Sequence, residues 1–232
     1  WTAQHSGAAA PEWLDRVLDP PDALTIGFAR RVPTYKRLTL MLQDPERLTR
    51  ILTDPVRPVQ FVIAGKSHPA DDEGKRLIQR LVQFAQQPGL RERIVFLPDY
   101  DMGMAATLYP GCDVWLNNPL RPLEACGTSG MKAALNGALN LSILDGWWAE
   151  FAEEDYGWVI PSADQAGDAA ERDALEAAAL YDLIEHRIVP KYFDRDTDGV
   201  PADWVGMLRR TLANLAPELG ADRMVREYVD RL

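Results

Sequence analysis

The chain has 232 residues, 47% of them hydrophobic and 26% charged, with a formal net charge of −10. Such a length and composition suit one large globular unit, or one unit with an appendage. The acidic balance argues against nucleic acid or an anionic membrane as the main partner, but it leaves room for a local cationic pocket that takes a small anion. No apolar run approaches the roughly 18 residues of a membrane span and no signal peptide is visible, so a cytoplasmic location is expected. Cys112 and Cys126 are the two cysteines; without CxxC spacing they suggest neither a disulfide framework nor a zinc site, and they fit a reducing compartment. The chain opens on Trp1, which predicts a piece of a longer protein.

Residues 1–20, with "HSGAAAPEW", read as a linker or lead-in. "ALTIGFA" (23–29) predicts a strand, and "YKRLTLMLQDPERLTRIL" (35–52) follows with leucines at helical spacing around one proline. "PVQFVIAG" (58–65) predicts a second strand and "DEGKRLIQRLVQFAQ" (72–86) an amphipathic helix. "RIVFLPDY" (93–100), "MAATLYPG" (104–111) and "CDVWLNN" (112–118) repeat the cycle. "SGMKAALNG" (129–137) predicts a helix stopped at Gly137; "ALNLSIL" (138–144) and "GWVIP" (157–161) complete the strands. Short strands that are apolar on both faces and separated by helices predict an α/β fold, a doubly wound parallel sheet of Rossmann-like type, over residues 21–167. Residues 168–232 read as helices only, interrupted at "DRDTDGVP" (194–201), and are expected to pack on the sheet unit.

Open α/β sheets bind ligands beyond the carboxyl ends of their strands. Three such places carry candidate chemistry. "ARRVPTYKR" (29–37) sets Arg30, Arg31, Lys36 and Arg37 within eight residues; it is either an exposed charged turn or an anion clamp. "AGKSHPAD" (64–71) imitates the end of a phosphate loop, but that motif needs a glycine where Gln60 stands, so a P-loop is rejected. Lys66 remains a possible pocket residue, and His68 suits capping or packing as well as function. The third place is "LNNPLRPLEACGTSGMK" (116–132). Gly127 and Gly130 would let backbone approach a ligand, and the amides of Thr128, Ser129 and Gly130 would form an anion site at a helix start. A hydroxyl of Thr128 or Ser129 is expected to cap that helix. Lys132 is expected in the first turn, where the helix dipole and the neighbouring cations favour its neutral amine. A neutral lysine beside an anion site suits a Schiff base with a phosphorylated aldehyde, which fits pyridoxal phosphate. The bland alternative is a glycine-capped helix with a solvated lysine.

"FARRVPTYKR", "IAGKSHPADDEGK", "DVWLNNPLRPLEACGTSGMKAALNG" and "LNLSILDGWW" together resemble the carboxy-terminal half of the α-glucan (glycogen, starch or maltodextrin) phosphorylases, in order and over about residues 22–165. The resemblance implies the second Rossmann-like lobe of a glycosyltransferase-B architecture. It implies a transferase in carbohydrate metabolism: pyridoxal-phosphate-dependent, retaining phosphorolysis of an α-1,4-glucan to glucose 1-phosphate. On it Lys132 matches the lysine that holds the cofactor. Arg31 and Lys36 match residues on the substrate and cofactor phosphates, with Arg30 where lysine is common. Tyr35 and Glu124 match residues that hydrogen-bond the sugar. Gly127 and Thr128 match the loop that meets sugar and cofactor phosphate, and Tyr100 an aromatic beside the cofactor ring. Cys126, in the substrate loop, and Gly130 depart from the animal-type pattern, as does "LNNPLRPLEA", which looks bacterial. The implied partners are glucan, inorganic phosphate and a missing amino-terminal lobe; self-association is also expected, and the isolated piece is expected to be inactive. A sugar-nucleotide-dependent glycosyltransferase lobe of glycogen-synthase type, or a non-catalytic scaffold lobe, are the alternatives. No metal site is expected: "DRDTDG" (194–199) lacks the closing glutamate of a calcium loop. Trp147, Trp148 and Trp158 are expected in the core or an interface rather than stacked on sugar.

Overall fold

The computed structural model describes residues 22–232, so the lead-in expected over residues 1–20 lies outside the described residues. Six strands form one sheet: β1 (Leu24–Arg31), β2 (Val59–Lys66), β3 (Ile94–Pro98), β4 (Val114–Asn117), β5 (Leu139–Ile143) and β6 (Gly157–Ile160). All neighbours are parallel and the order is β3-β2-β1-β4-β5-β6, the doubly wound Rossmann-like arrangement. β1 and β2 run together over their whole length, from Leu24 opposite Val59 to Arg31 opposite Lys66, so both end in cations at the same level.

The strands are apolar on both faces because both are covered. On one face Leu24, Ile26 and Phe28 join Phe61, Ile63, Leu116 and Leu141 in the main core. This core is roofed by α1 (Pro45–Leu52), α2 (Asp72–Ala85) and the tail helices α6 (Ala169–Leu183) and α8 (Ala202–Arg210), through Leu48, Leu81, Leu180 and Trp204. On the other face Ala29, Val62, Ala64 and Trp115 meet α3 (Met102–Leu108) and α4 (Thr128–Leu135). A short helix absent from the sequence reading, α5 (Trp148–Phe151), buries Trp148 and sits beside Trp147.

The run 35–52 is not one helix. It breaks into 3₁₀ turns at Thr34–Lys36 and Leu40–Leu42 before α1. Asp44 ends the irregular part by accepting from the Arg47 amide at 2.9 Å, and Pro45 fills the first helical position, where a missing N–H costs nothing. Within the tail, Ile184–Ile188 and Thr211–Leu215 widen into π-helical turns. Each lies two residues before a proline, Pro190 or Pro217, which has no N–H for the ladder. α7 (Val189–Phe193), α9 (Ala216–Leu219) and α10 (Ala221–Arg231) complete the chain. The expected break at 194–201 separates α7 from α8, with the Asp196 carboxylate accepting from the Asp198 and Val200 amides. No described helix is long and apolar enough to cross a membrane. Among the described residues, α10 exposes four apolar side chains, Met224, Val225, Tyr228 and Val229.

The tail is fastened to segment 37–47 by polar contacts as well as by packing. The Tyr181 hydroxyl donates to the Met41 carbonyl at 2.7 Å and accepts from the Asp44 amide at 3.0 Å. Arg37 is buried, ion-paired with Glu176 at 2.5 Å, and bonds to Asp173 at 2.9 Å and to the carbonyls of Asn118 and Pro119 at 3.0 Å. Glu176 is only 1% exposed. Removing one partner of a buried pair strands the other, at about 3–5 kcal/mol. Arg37→Ala is therefore expected to lower unfolding stability by about that amount in a urea titration; a loss under about 1 kcal/mol would mean that water replaces the pair.

Candidate functional site

Between β1 and β4 the strand order reverses, and the loops leaving their carboxyl ends diverge. A cleft of about 690 Å³ opens there, within the usual range for small-ligand sites. It gathers the residues singled out in the sequence: Arg30 and Arg31 from β1, Tyr35 and Lys36 from the first 3₁₀ turn, Tyr100 ahead of α3, Glu124, Cys126 and Gly127 from the loop after β4, and Thr128 and Lys132 from α4. Lys66 and His68 line it too. Arg37 does not: it turns into the Glu176 pair, so the basic cluster splits between the cleft and the core.

Local contacts explain how so irregular a loop is placed. The Leu120 amide donates to the Tyr35 carbonyl at 2.7 Å, and Asn118 Nδ2 to the Arg37 carbonyl at 3.0 Å, tying the loop to the turn. The Glu124 amide donates to Asp145 Oδ2 at 2.9 Å, and the Trp147 amide to the Cys126 carbonyl at 2.8 Å, tying it to the segment after β5. Gly146 allows the second contact, because a Cβ there would lie 2.4 Å from the Cys126 carbonyl oxygen.

Burial divides the cleft charges. Arg30 is 7% exposed; Nη1 donates to Asn117 Oδ1 at 2.5 Å, Nη2 to the Leu116 carbonyl at 3.2 Å, and the guanidinium stacks 4.5 Å from the Phe28 ring centre. Desolvation lowers its pKa to about 10, opposed by Glu124 and by Tyr109, Tyr35 and Tyr100, so it stays a cation at neutral pH. Buried Glu124 pairs through Oε2 with Lys36 Nζ and stands 4.0 Å from Arg30 Nη1. Lys36 lies 4.8 Å from the Tyr35 ring centre. Arg31, Lys66 and Lys132 are exposed. Five cations line the cleft against two carboxylates, and the second of these, Asp71, is occupied in capping α2 through the Gly74 amide at 2.9 Å. The cleft is locally cationic in an acidic chain.

At α4 the structure corrects four details. Gly127 is itself the N-cap, at φ +86°, and no hydroxyl caps the helix. The Gly130 amide is spent on the Gly127 carbonyl at 3.1 Å, so only the Thr128 and Ser129 amides are without acceptors among the described residues. Gly130 serves packing rather than ligand approach, since a Cβ would meet Asn140 Oδ1 at 2.6 Å and Trp147 Nε1 at 2.8 Å. Lys132 is the fifth helical residue, beyond the first turn, so the dipole argument for its neutral amine does not apply. Its amine has no partner among the described residues.

Other residues escaped the sequence. Buried Tyr109 meets the Tyr100 hydroxyl at 3.2 Å, and burial pushes its phenol well above the usual value. Asp145 brings a second carboxylate near Glu124, yet it accepts from the Glu124 and Gly146 amides at 2.9 and 3.0 Å and is committed to backbone. His68 Nδ1 accepts from the Ala70 amide at 3.1 Å, a local capping contact. Trp147, Trp148 and Trp158 are buried, Trp158 against Trp204 at 5.7 Å. Both cysteines are free. Cys112 is buried under Gly27 and Trp115, and desolvation, aided by Asp113, pushes its thiol up to about 12. A thiol reagent at pH 8 should therefore label exposed Cys126 quickly and Cys112 only after denaturation. Rapid labelling of native Cys126→Ser protein would contradict that assignment.

Comparison with known proteins places this geometry. Residues 20–156 match the family model of the carbohydrate phosphorylases. The chain is 60% identical over 230 residues to a glycogen phosphorylase of Mycobacterium tuberculosis, covering 99% of this chain and 26% of that protein. It is 48% identical over 234 residues to a glycogen phosphorylase of Aquifex aeolicus (96% of this chain, 33% of the relative) and 45% identical over 210 residues to a maltodextrin phosphorylase of Thermococcus litoralis (90% and 25%). It thus spans a quarter to a third of the length of these relatives. A cationic cleft at the switch point of a doubly wound sheet, lying within the stretch that the family model matches, carries one conclusion: this chain belongs to the carbohydrate phosphorylase family.

Proposed function

We propose that this chain supplies the cofactor- and phosphate-binding lobe of a retaining α-1,4-glucan phosphorylase, which uses inorganic phosphate to release glucose 1-phosphate from a glucan end. The observation that carries the proposal is the company kept by Lys132. Its amine, without a partner among the described residues, shares one cleft with Arg30, Arg31 and Lys36 and with the Thr128 and Ser129 amides, which have no acceptor among those residues. The names of the glycogen and maltodextrin phosphorylase relatives favour glucan as substrate.

The residues present fit pyridoxal phosphate. Arg30 lines the cleft as a buried cation whose hydrogen-bond partners among the described residues are neutral, and its Nε is left orphaned, so an anion in the cleft would complete its charge. The Thr128 and Ser129 amides add two more donors at a helix start. Lys132 would hold the aldehyde carbon, and the Tyr100–Tyr109 pair would flank the ring. When bound, the cofactor supplies a phosphate that can pass a proton to the substrate phosphate.

The chain's own residues make that approach affordable. Two phosphate charges about 4 Å apart repel by roughly 4 kcal/mol at an effective dielectric of 20. Arg30, Arg31 and Lys36 neutralise them, with Arg30 fixed in advance and exposed Arg31 free to fork onto an incoming phosphate. Glu124 gives Oε2 to Lys36, which leaves Oε1 to accept from a sugar hydroxyl beside Tyr35. A hydrolase built on paired carboxylates is disfavoured, since Asp145 has no free oxygen to act with Glu124. The cytoplasm, and self-association, are proposed as the setting.

Two experiments test the proposal. Incubation with pyridoxal phosphate followed by borohydride should fix the label on Lys132, even if binding is weak. A label mainly on Lys36 or Lys66 would overturn the assignment, and no label at all would favour a sugar-nucleotide-dependent lobe. The chain alone should release no glucose 1-phosphate from maltodextrin and phosphate, because the further length of the relatives is needed to close the cleft. Robust release would mean that this length is dispensable.

A further inference from the structure

Asn117 closes β4 and is 2% exposed. Its two amide ends face different strands. Oδ1 accepts from Arg30 Nη1 on β1 at 2.5 Å, and Nδ2 donates to Ser142 Oγ on β5 at 3.1 Å. Ser142 is the register partner of Asn117, so both side chains leave the sheet on one face; its hydroxyl donates onward to the Ile143 carbonyl at 2.9 Å. A line of side-chain bonds thus crosses three strands beneath the cleft and ends on the cation at its edge.

We infer that Asn117 is a positioning residue for phosphate binding: anchored by Ser142, it fixes the plane of the Arg30 guanidinium so that the remaining N–H groups meet a phosphate. The inference rests on the phosphate-binding role proposed above. Asn117 and the Leu116 carbonyl each take one N–H, from different terminal nitrogens. A guanidinium held at both is fixed against rotation and retains one N–H on each of these terminal nitrogens. An arginine already ordered loses less freedom when an anion arrives, which raises affinity without any contact from Asn117 itself. An asparagine suits the task because its second end reaches Ser142 without bringing a negative charge that would compete with the anion. The Phe28 ring, 4.5 Å away, supports the face of the guanidinium but does not fix its rotation in the plane.

The test is a double-mutant cycle on affinity for inorganic phosphate. Phosphate is titrated at constant ionic strength into the ¹⁵N-labelled chain, with the Thr128 and Ser129 amide signals as reporters. Arg30→Ala should weaken binding by about tenfold or more, the scale of one charge-assisted contact. Asn117→Ala should weaken it several-fold with Arg30 present and by nothing further in the Arg30→Ala background. A loss of the same size in both backgrounds would mean a general structural role and overturn the inference. Unchanged affinity in Asn117→Ala would overturn it while leaving the phosphate site intact. No response in the wild-type chain, or none to Arg30→Ala, would overturn the phosphate site itself and the inference with it. Should Asn117→Ala not fold, Ser142→Ala replaces it, with the same pattern expected at smaller size and the same outcomes decisive.

Discussion

The handedness of the strand crossovers is the constraint on which the site depends. Crossovers between parallel strands are right-handed as a rule; here the chain runs outward from β1 to β2 and β3 under one set of helices, then back across the sheet to β4, β5 and β6 under the other. The loops after β1 and β4 must therefore part company. The cleft lies in the gap between them, lined by the polar ends of β1 and β2. Arg30 and Arg31 stand at the end of a strand otherwise buried throughout, so the same burial that builds the core brings charge to its rim.

Two arginines seven residues apart show how neighbouring charge decides a side chain's use. Arg37, at φ +49°, turns away from the cleft and is saturated by Glu176, Asp173 and two carbonyls; it welds the tail to the sheet unit and has little left to offer a ligand. Arg30 is as deeply buried but has only neutral partners in contact, with Glu124 4.0 Å away, and it keeps an unpartnered nitrogen. A buried cation so incompletely matched is costly unless something anionic completes it. The core uses the first arginine and the cleft is left with the second.

The sheet was legible in the sequence because strands buried on both faces leave short, mainly apolar runs, six of them between 23 and 161, interrupted inside only by Thr25, Gln60, Asn140 and Ser142. The stretch 35–52 was not, since its leucine spacing imitates a helix while Pro45 and the Asp44 cap place the start ten residues later. The cleft was legible where chemistry sits in a contiguous motif, as in residues 124–132. It was not where a partner comes from another strand. Asn117 ends an apolar strand with one polar letter, and only the fold reveals that Arg30 and Ser142 lie on either side of it. Gly130 misled for the same reason: a glycine in a loop motif suggests ligand approach, yet here the indole of Trp147 occupies the space.

The cleft charges fall into two tiers that depend differently on what surrounds them. Arg30 and Glu124 are below the surface, where their geometry is fixed by Asn117, Leu116, Asp145 and Lys36 without outside help. Arg31, Lys66 and Lys132 project into solvent. A unit charge pair at about 4 Å is worth roughly 1 kcal/mol in bulk water and roughly 4 kcal/mol at the effective dielectric near a protein surface. Covering the outer tier would therefore strengthen each of its contacts several-fold and leave the inner tier almost unchanged. A chain spanning a quarter to a third of its relatives can hold the arrangement of the site while lacking most of its strength. On the proposed reading, affinity depends on whatever closes the cleft, while the buried arginine and the line of bonds behind it already favour an anion there.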